Sequence, residues 1–312
     1  MQKIRHMQLK PGMPLSRIAK EMEGTHVLGS GRFGRAVSIL TEMWRSNAYR
    51  NILAFAGPLV PGGLRKLIID LIAGGYVHAV VTTGANVTHD IVESLGFRHI
   101  AGSPDLDDKA LRKRNLSRIY DILITQSAIN RLEKTAYKIL NQIPAEQRRN
   151  IASYELLWEV GKRLTARPSI LATAQRHRVP VFCPGIYDSM LGLNLWTFGR
   201  LNPLVINPMR DFSRLVDLTY ESKKTGLIIL GGGMPKHQAM IANVYRGGTD
   251  AAIQITLDRP EAGGTSGAPL EEAISWGKIR SPNRLATVIG DATILFPLIA
   301  IAALERVQKR RK

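Results

Sequence analysis

The alternation of two kinds of segment constrains this chain's fold more than any other feature. From about residue 51 onward, short runs rich in β-branched residues take turns with longer stretches of helical periodicity. The runs at 51–55, 79–83, 122–125, 179–182, 226–230, 251–257 and 286–289 are nearly continuous in apolar residues, the pattern of strands covered on both faces. Helical patterns fill the intervals at 61–73, 128–141, 169–178, 211–223 and 236–246. Such alternation predicts an α/β fold, doubly wound and Rossmann-like, with a mostly parallel sheet and helices on both faces. Residues 1–48 are helical in pattern, without a strand, and are expected to form an N-terminal extension on an α/β domain of 49–312.

Bulk properties narrow the class further. A chain of 312 residues, 45% hydrophobic and 22% charged, can bury a sizeable core and is wrong for disorder. The single cysteine, Cys183, excludes an intramolecular disulfide framework and suits a reducing cytoplasm. No apolar segment follows the basic residues 1–10, so no secretory signal is expected. The longest apolar run, 294–304, is interrupted by Pro297 and falls short of the roughly 20 residues of a bilayer span. A soluble, cytoplasmic protein is expected, with no membrane partner and no metal. The net charge of +18 is spread along the chain, with small clusters at 112–114, 148–149 and 309–312. No recognition motif accompanies them and aromatics are 6%, so a solvated basic surface is expected ahead of nucleic-acid binding.

Ligands of doubly wound sheets sit at the carboxyl ends of strands. Four of the runs end in small or polar residues: Ala56, Gly57 and Pro58; Thr82, Thr83, Gly84, Ala85 and Asn86; Gly231, Gly232 and Gly233; and Gly290, Asp291 and Ala292. Glycine lets a backbone approach a ligand closely, and its amide can cradle phosphate. Any one of these is more often a plain turn; the four together favour a crevice of dinucleotide size. By contrast, Gly29-Ser-Gly-Arg-Phe-Gly34 matches the dinucleotide fingerprint in letters only. It follows a poor strand, and the acidic residue required some 20 positions later falls in an apolar run. A loop entering a helix at 35–44 is the expected structure.

The sharper signal pairs the glycine triplet with Lys236 and His237, and then with Trp276, Gly277 and Lys278. A helix start would depress the pKa of the cationic pair. Trp276 offers an aromatic face to a cationic amine, Gly277 removes bulk, and a desolvated lysine is a competent Schiff-base nucleophile. Spacing alone leaves the bland readings ahead: Lys278 as a surface charge at a helix end, Trp276 as core, His237 as a cap.

The blocks GLIILGGGMPKH at 226–237, SGAPLEEAISWGKI at 266–279, DATILFPL at 291–298, VTTGANVTHD at 81–90 and FGRAV at 33–37 together resemble the deoxyhypusine synthase family. They span nearly the whole chain in order. The resemblance implies an NAD-dependent transferase that moves the aminobutyl group of spermidine, or a related amine, through an imine on Lys278. The acceptor it implies is a lysine of the translation initiation factor five A precursor. Carried over by position, it places NAD near Gly57, Pro58, Leu59, Thr83, Gly84, Ala85, Asp188, Gly232, Asp258, Asp291 and Ala292. It places the amine near His237, Glu272, Trp276 and Lys278, with His237 as the proton-transfer partner. It also implies a homotetramer, and makes 49–312 the NAD-binding catalytic domain.

The chain departs from the family's eukaryotic pattern where carboxylates line the amine channel. The matching positions read Thr88, His89, Leu193 and Thr265, and only Glu272 keeps its acid. Two other readings follow: homospermidine synthase-like transfer to a free diamine, or a non-catalytic relative that binds NAD or nucleic acid. A net positive protein repels a polyamine at long range, so an amine site here must be locally acidic or aromatic. Screening over about 8 Å permits it.

Overall fold

In the computed structural model, which describes residues 2–308, the N-terminal residues form α1 (Leu15–Glu23) and α2 (Leu28–Arg45). Then come β1 (Tyr49–Phe55), α3 (Arg65–Ala73), β2 (Ala79–Thr82), α4 (Gly84–Ser94), β3 (Ile100–Ala101), α5 (Asp108–Lys113), β4 (Leu116–Ile119) and β5 (Ile122–Thr125). A helical stretch follows: α6 (Gln126–Asn141), α7 (Ala145–Arg148), α8 (Ser153–Arg163) and α9 (Ile170–Arg176). The remainder is β6 (Val181–Phe182), α10 (Met190–Leu201), α11 (Pro208–Tyr220), β7 (Lys224–Leu230), α12 (Gly233–Ile241), β8 (Ala251–Thr256), α13 (Glu272–Ser275), β9 (Leu285–Ile289) and α14 (Ala292–Gln308). The basic cluster expected at 309–312 lies outside the described residues.

The main sheet has six strands in the order β6-β2-β1-β7-β8-β9. The pairings β1–β7, β7–β8, β8–β9 and β2–β6 are all parallel, in keeping with the α/β architecture expected. β1, β7 and β8 are buried along nearly their whole length, which is why their sequences lack polar alternation. Strand order reverses between β1 and β7, so their carboxyl ends mark the topological switch point.

The chain divides into two compact units, Met1–Phe55, Tyr76–Ala79 and Arg214–Lys312 in the first, Ala56–Gly75 and Val80–Ser213 in the second. In the first, α2 and α14 pack on β8, α2 also on β9, and α12 on β1 and β7. α1 lies along α2 and α14, where Ser16 N–H donates to Glu305 (2.9 Å). In the second, the Asp90 carboxylate accepts from Arg65 Nε (2.7 Å) and from the N–H groups of Ile170 (2.9 Å) and Leu171 (3.0 Å), tying α4 and α3 to the start of α9.

Two local expectations are corrected. The run at 122–125 is a strand, but it pairs antiparallel with β3 and β4 in a separate three-stranded sheet. A two-residue turn at Tyr120 and Asp121, with Tyr120 at φ 53°, makes that hairpin, and four apolar residues carry no mark of which sheet they join. The GSGRFG segment lies inside α2, not in a loop before it. Two of its three glycines admit neighbouring backbone: a Cβ on Gly34 would collide with the backbone of Ala19 and Glu23 in α1, and one on Gly31 would stand 2.8 Å from His26 C in the turn before α2.

Candidate active site

In the first unit, α13 is a single turn that stops at Trp276 because Gly277 takes a left-handed conformation (φ +67°). The N–H of Gly277 then returns to Ile274 O (3.0 Å) and that of Lys278 to Ala273 O (3.0 Å), a glycine helix stop. Lys278 O accepts from Thr249 N–H (3.0 Å), so the lysine's main chain is bonded on both sides. Its side chain reaches His237 on α12, with Nζ 3.3 Å from Nε2, and lies 4.8 Å from the centre of the Trp276 ring. The indole itself is 66% exposed, so its bland reading as core does not hold. Burial, and then the Lys278 cation, hold the His237 imidazole below the usual histidine range. A mostly neutral imidazole facing an amine over an aromatic ring can accept and return a proton.

Lys236, beside His237, is the residue that sequence reasoning underrated. It is 2% exposed, and its Nζ donates to Gln254 Oε1 (3.0 Å) and Ala268 O (2.6 Å). Gln254 in turn donates to Gly231 O (3.0 Å) and Ser266 O (2.8 Å), joining the end of β7 to the 266–268 segment. Burial lowers the Lys236 pKa to about 8, opposed by the Glu272 carboxylate. The cause is desolvation, not the helix start that the sequence suggested. Gln254 had left a signal, a polar side chain in the middle of a run otherwise fit for burial.

The other candidates of the first unit lie at strand ends. Gly232 packs against Ser266, so its missing side chain admits that segment. Gly233, at φ +61°, has open space where a Cβ would stand, at the start of α12. Asp291 caps α14, accepting from Thr293 N–H (2.7 Å) and Oγ1 (2.8 Å), with Ala292 as the first helical residue. Asp258 is exposed beyond β8, its N–H bonded to Thr256 Oγ1 (3.1 Å). Glu272 opens α13 with its side chain exposed.

In the second unit the candidates converge on Asn86. Its Nδ2 donates to Gly57 O (2.9 Å) and Thr83 Oγ1 (3.1 Å), its Oδ1 accepts from Val60 N–H (3.1 Å), and its own N–H reaches Thr83 Oγ1 (3.3 Å). One buried amide thus joins the turn of Gly57, Pro58 and Leu59 to the turn of Thr83, Gly84 and Ala85. Gly57 (φ +83°) has open space at its Cβ position. A Cβ on Gly84 would meet Ser189 Oγ at 2.5 Å and Ile186 O at 2.7 Å, so that glycine admits the turn carrying Asp188. Open glycine backbone at strand ends beside helix starts is the local chemistry that a dinucleotide requires. Thr88, by contrast, is buried, with its Oγ1 accepting from Leu191 N–H (3.1 Å).

Fold and site together define a doubly wound α/β protein of the Rossmann-like class, with a lysine–histidine pair beyond its strand ends. The chain belongs to the deoxyhypusine synthase family, whose model matches residues 17–303. It is 40% identical over 304 residues to a protein of Methanothermobacter thermautotrophicus named probable deoxyhypusine synthase, covering 97% of this chain and 98% of that one. A protein of the same name from Methanopyrus kandleri is 42% identical over 298 residues, 95% of each chain. Among solved structures, a candidate deoxyhypusine synthase from Entamoeba histolytica superposes with a TM-score of 0.67 at 21% identity, over 97% of both chains. At that identity the likeness shows the fold. The family is one of transferase enzymes. Among the described residues, no helix is long and apolar enough to cross a membrane.

Proposed function

We propose that this chain is an NAD-dependent aminobutyl transferase. In this reading spermidine or a related amine is the donor, and a lysine of the translation initiation factor five A precursor is the acceptor. The observation that carries the reading is the Lys278 amine, 3.3 Å from an imidazole held below its usual pKa and beside an exposed indole, in a chain of this family.

Lys278 Nζ forms the C=N bond to the aminobutyl carbon as the rest of the donor leaves as a free amine. The acceptor lysine then displaces Lys278 from that carbon by the same exchange. His237 Nε2 takes and returns the protons that each exchange requires. The Trp276 face steadies the cationic amine, and Glu272 adds the one carboxylate retained from the family pattern. Lys236 and Gln254 hold the 266–268 segment in place. NAD, when bound, supplies a hydride acceptor for the first half of the reaction and a hydride donor for the second, without net consumption. The residues proposed to hold it are Gly232, Asp258, Asp291 and Ala292 in the first unit. In the second they are Gly57, Pro58, Leu59, Thr83, Gly84, Ala85 and Asp188. A cytoplasmic homotetramer belongs to the same proposal.

Borohydride added during turnover with labelled spermidine and NAD tests the reading. One labelled peptide containing Lys278 is expected, and none in Lys278→Ala, which should still bind NAD. Label trapped equally in that variant overturns the imine role. Label appearing in a free polyamine instead of the precursor protein selects a diamine acceptor.

A further inference from the structure

Lys278 lies in the connection between β8 and β9, where residues 257–284 form short helical turns joined by irregular chain. Such connections are commonly the mobile part of a fold, yet a nucleophile must be held close to its proton partner. In this chain the connection is fastened just past the lysine. The N–H of Thr249 donates to Lys278 O (3.0 Å) and the N–H of Arg280 to Thr249 O (3.0 Å), a parallel bridge around the buried Ile279. Gly248, at φ +92°, permits that approach. A Cβ there would stand 2.7 Å from both Arg280 N and Ile279 C.

The Arg280 side chain closes the bridge from the outside. Its Nη2 donates to Arg246 O (2.8 Å), its Nε to Gly247 O (3.3 Å) and its Nη1 to Asp250 Oδ1 (3.0 Å). Asp250 is itself fixed to the sheet. Its Oδ2 accepts from Thr225 N–H (2.9 Å), near the start of β7, and from Arg246 Nη1 (2.9 Å). The Asp250 side chain is 10% exposed, whereas that of Arg280 is 47% exposed. A half-exposed ion pair contributes little to stability. The planar fork of a guanidinium, meeting a carboxylate and two carbonyls at once, fixes directions instead.

We infer that Arg280 is a positioning residue for the transfer reaction: through Asp250 it fastens the Lys278 main chain to the starts of β7 and β8, and so keeps the Lys278 amine at the His237 imidazole. It acts through Lys278 and not by touching substrate. The inference rests on reading Lys278 as the imine-forming residue. Its effect passes through one measurable relationship. Burial first, and the Lys278 cation second, hold the His237 pKa down. An amine that wanders from its 3.3 Å separation removes the second cause, and the His237 pKa rises.

The test uses the full chain and two readouts. In histidine-labelled protein, with His237→Gln identifying the ring signal, NMR follows the His237 titration. Arg280→Met should raise the His237 pKa, and should raise it no further in a chain already carrying Lys278→Met, where no amine is left to position. An unchanged titration in the single variant overturns the inference. So does an equal rise in both backgrounds, which would be the direct effect of a lost charge. Kinetics supply the second readout. Arg280→Met should lower kcat, and the rate at which borohydride traps label on Lys278, by about ten- to a hundredfold. The KM for amine and the NAD affinity should change little. Arg280→Lys, which keeps the charge and can still reach Asp250, should recover part of the loss, and serves as the variant to titrate if the methionine chain does not fold. A wild-type kcat in Arg280→Met, or a loss confined to KM, refutes the positioning role. A wild-type enzyme that transfers no aminobutyl group counts against the reading of Lys278 instead, and the titration then decides the role of Arg280 alone.

Discussion

Lys278 Nζ and His237 Nε2 face each other at 3.3 Å across the turn that Gly277 makes possible. Below its depressed pKa, the imidazole changes from an acceptor for the lysine amine into a second cation pointed at it. The sign is fixed. His237 is neutral and competent above that pKa, which lies under 6.5, and protonated and repulsive below it. kcat/KM for transfer should therefore fall on the acid side with a midpoint below 6.5, and His237→Gln should lack that limb and lose about 10²- to 10⁴-fold in kcat. A pH profile of the variant with the limb intact would assign it to another group.

Lys236 has a folded pKa of about 8 against an ordinary 10.5, so the unfolded chain binds more protons between those values. Stability should rise with pH through that window, by about 3 kcal/mol. Lys236→Met should abolish the rise. At pH 7 it should cost about 1–3 kcal/mol by leaving Ala268 O and Gln254 Oε1 without their donor. Urea unfolding of both proteins at several pH values checks this, and parallel curves would contradict it.

Asn86 satisfies three polar groups on two turns, so Asn86→Leu should remove about 2–4 kcal/mol of stability and weaken NAD binding. Asn86→Asp keeps the acceptor for Val60 N–H but loses both side-chain donors, and should fall between. Thermal unfolding with and without NAD is the measurement; an unaltered NAD-induced shift in the leucine variant would detach the turns from the cofactor.

Two glycines of α2 should respond with opposite signs. Gly34→Ala forces a methyl into the backbone of Glu23 and Ala19, at about 3 kcal/mol. The helix-propensity gain of about 1 kcal/mol is too small to offset it. Gly29→Ala meets nothing within 4 Å and should gain up to that 1 kcal/mol. Equal melting shifts for the two would mean that α1 yields freely.

How far the sequence carried the structure depends on what kind of order is asked for. The buried parallel strands were legible because burial on both faces writes itself as an unbroken apolar run, as at 226–230 and 251–257. Partner choice was not: Ile122, Leu123 and Ile124 look like any core strand, and only the turn at Tyr120 sends them into a separate hairpin sheet. Lys278, Trp276 and His237 stood out by residue type, and folding brings them together. Lys236 is adjacent in sequence to His237, yet its burial depends on Gln254 and Ala268, which periodicity cannot bring near. The same holds for Arg280, whose partner Asp250 lies 30 residues away in the chain.

The main chain around Lys278 is pinned at Ala273 and at Thr249, so only the four-carbon stem is left to swing. On the proposed chemistry the enzyme then works as a short crane on a bolted base. Donor and recipient must each deliver their reacting atoms inside one small arc, in turn. A recipient lysine on a folded protein therefore has to project well clear of its own surface to be reached.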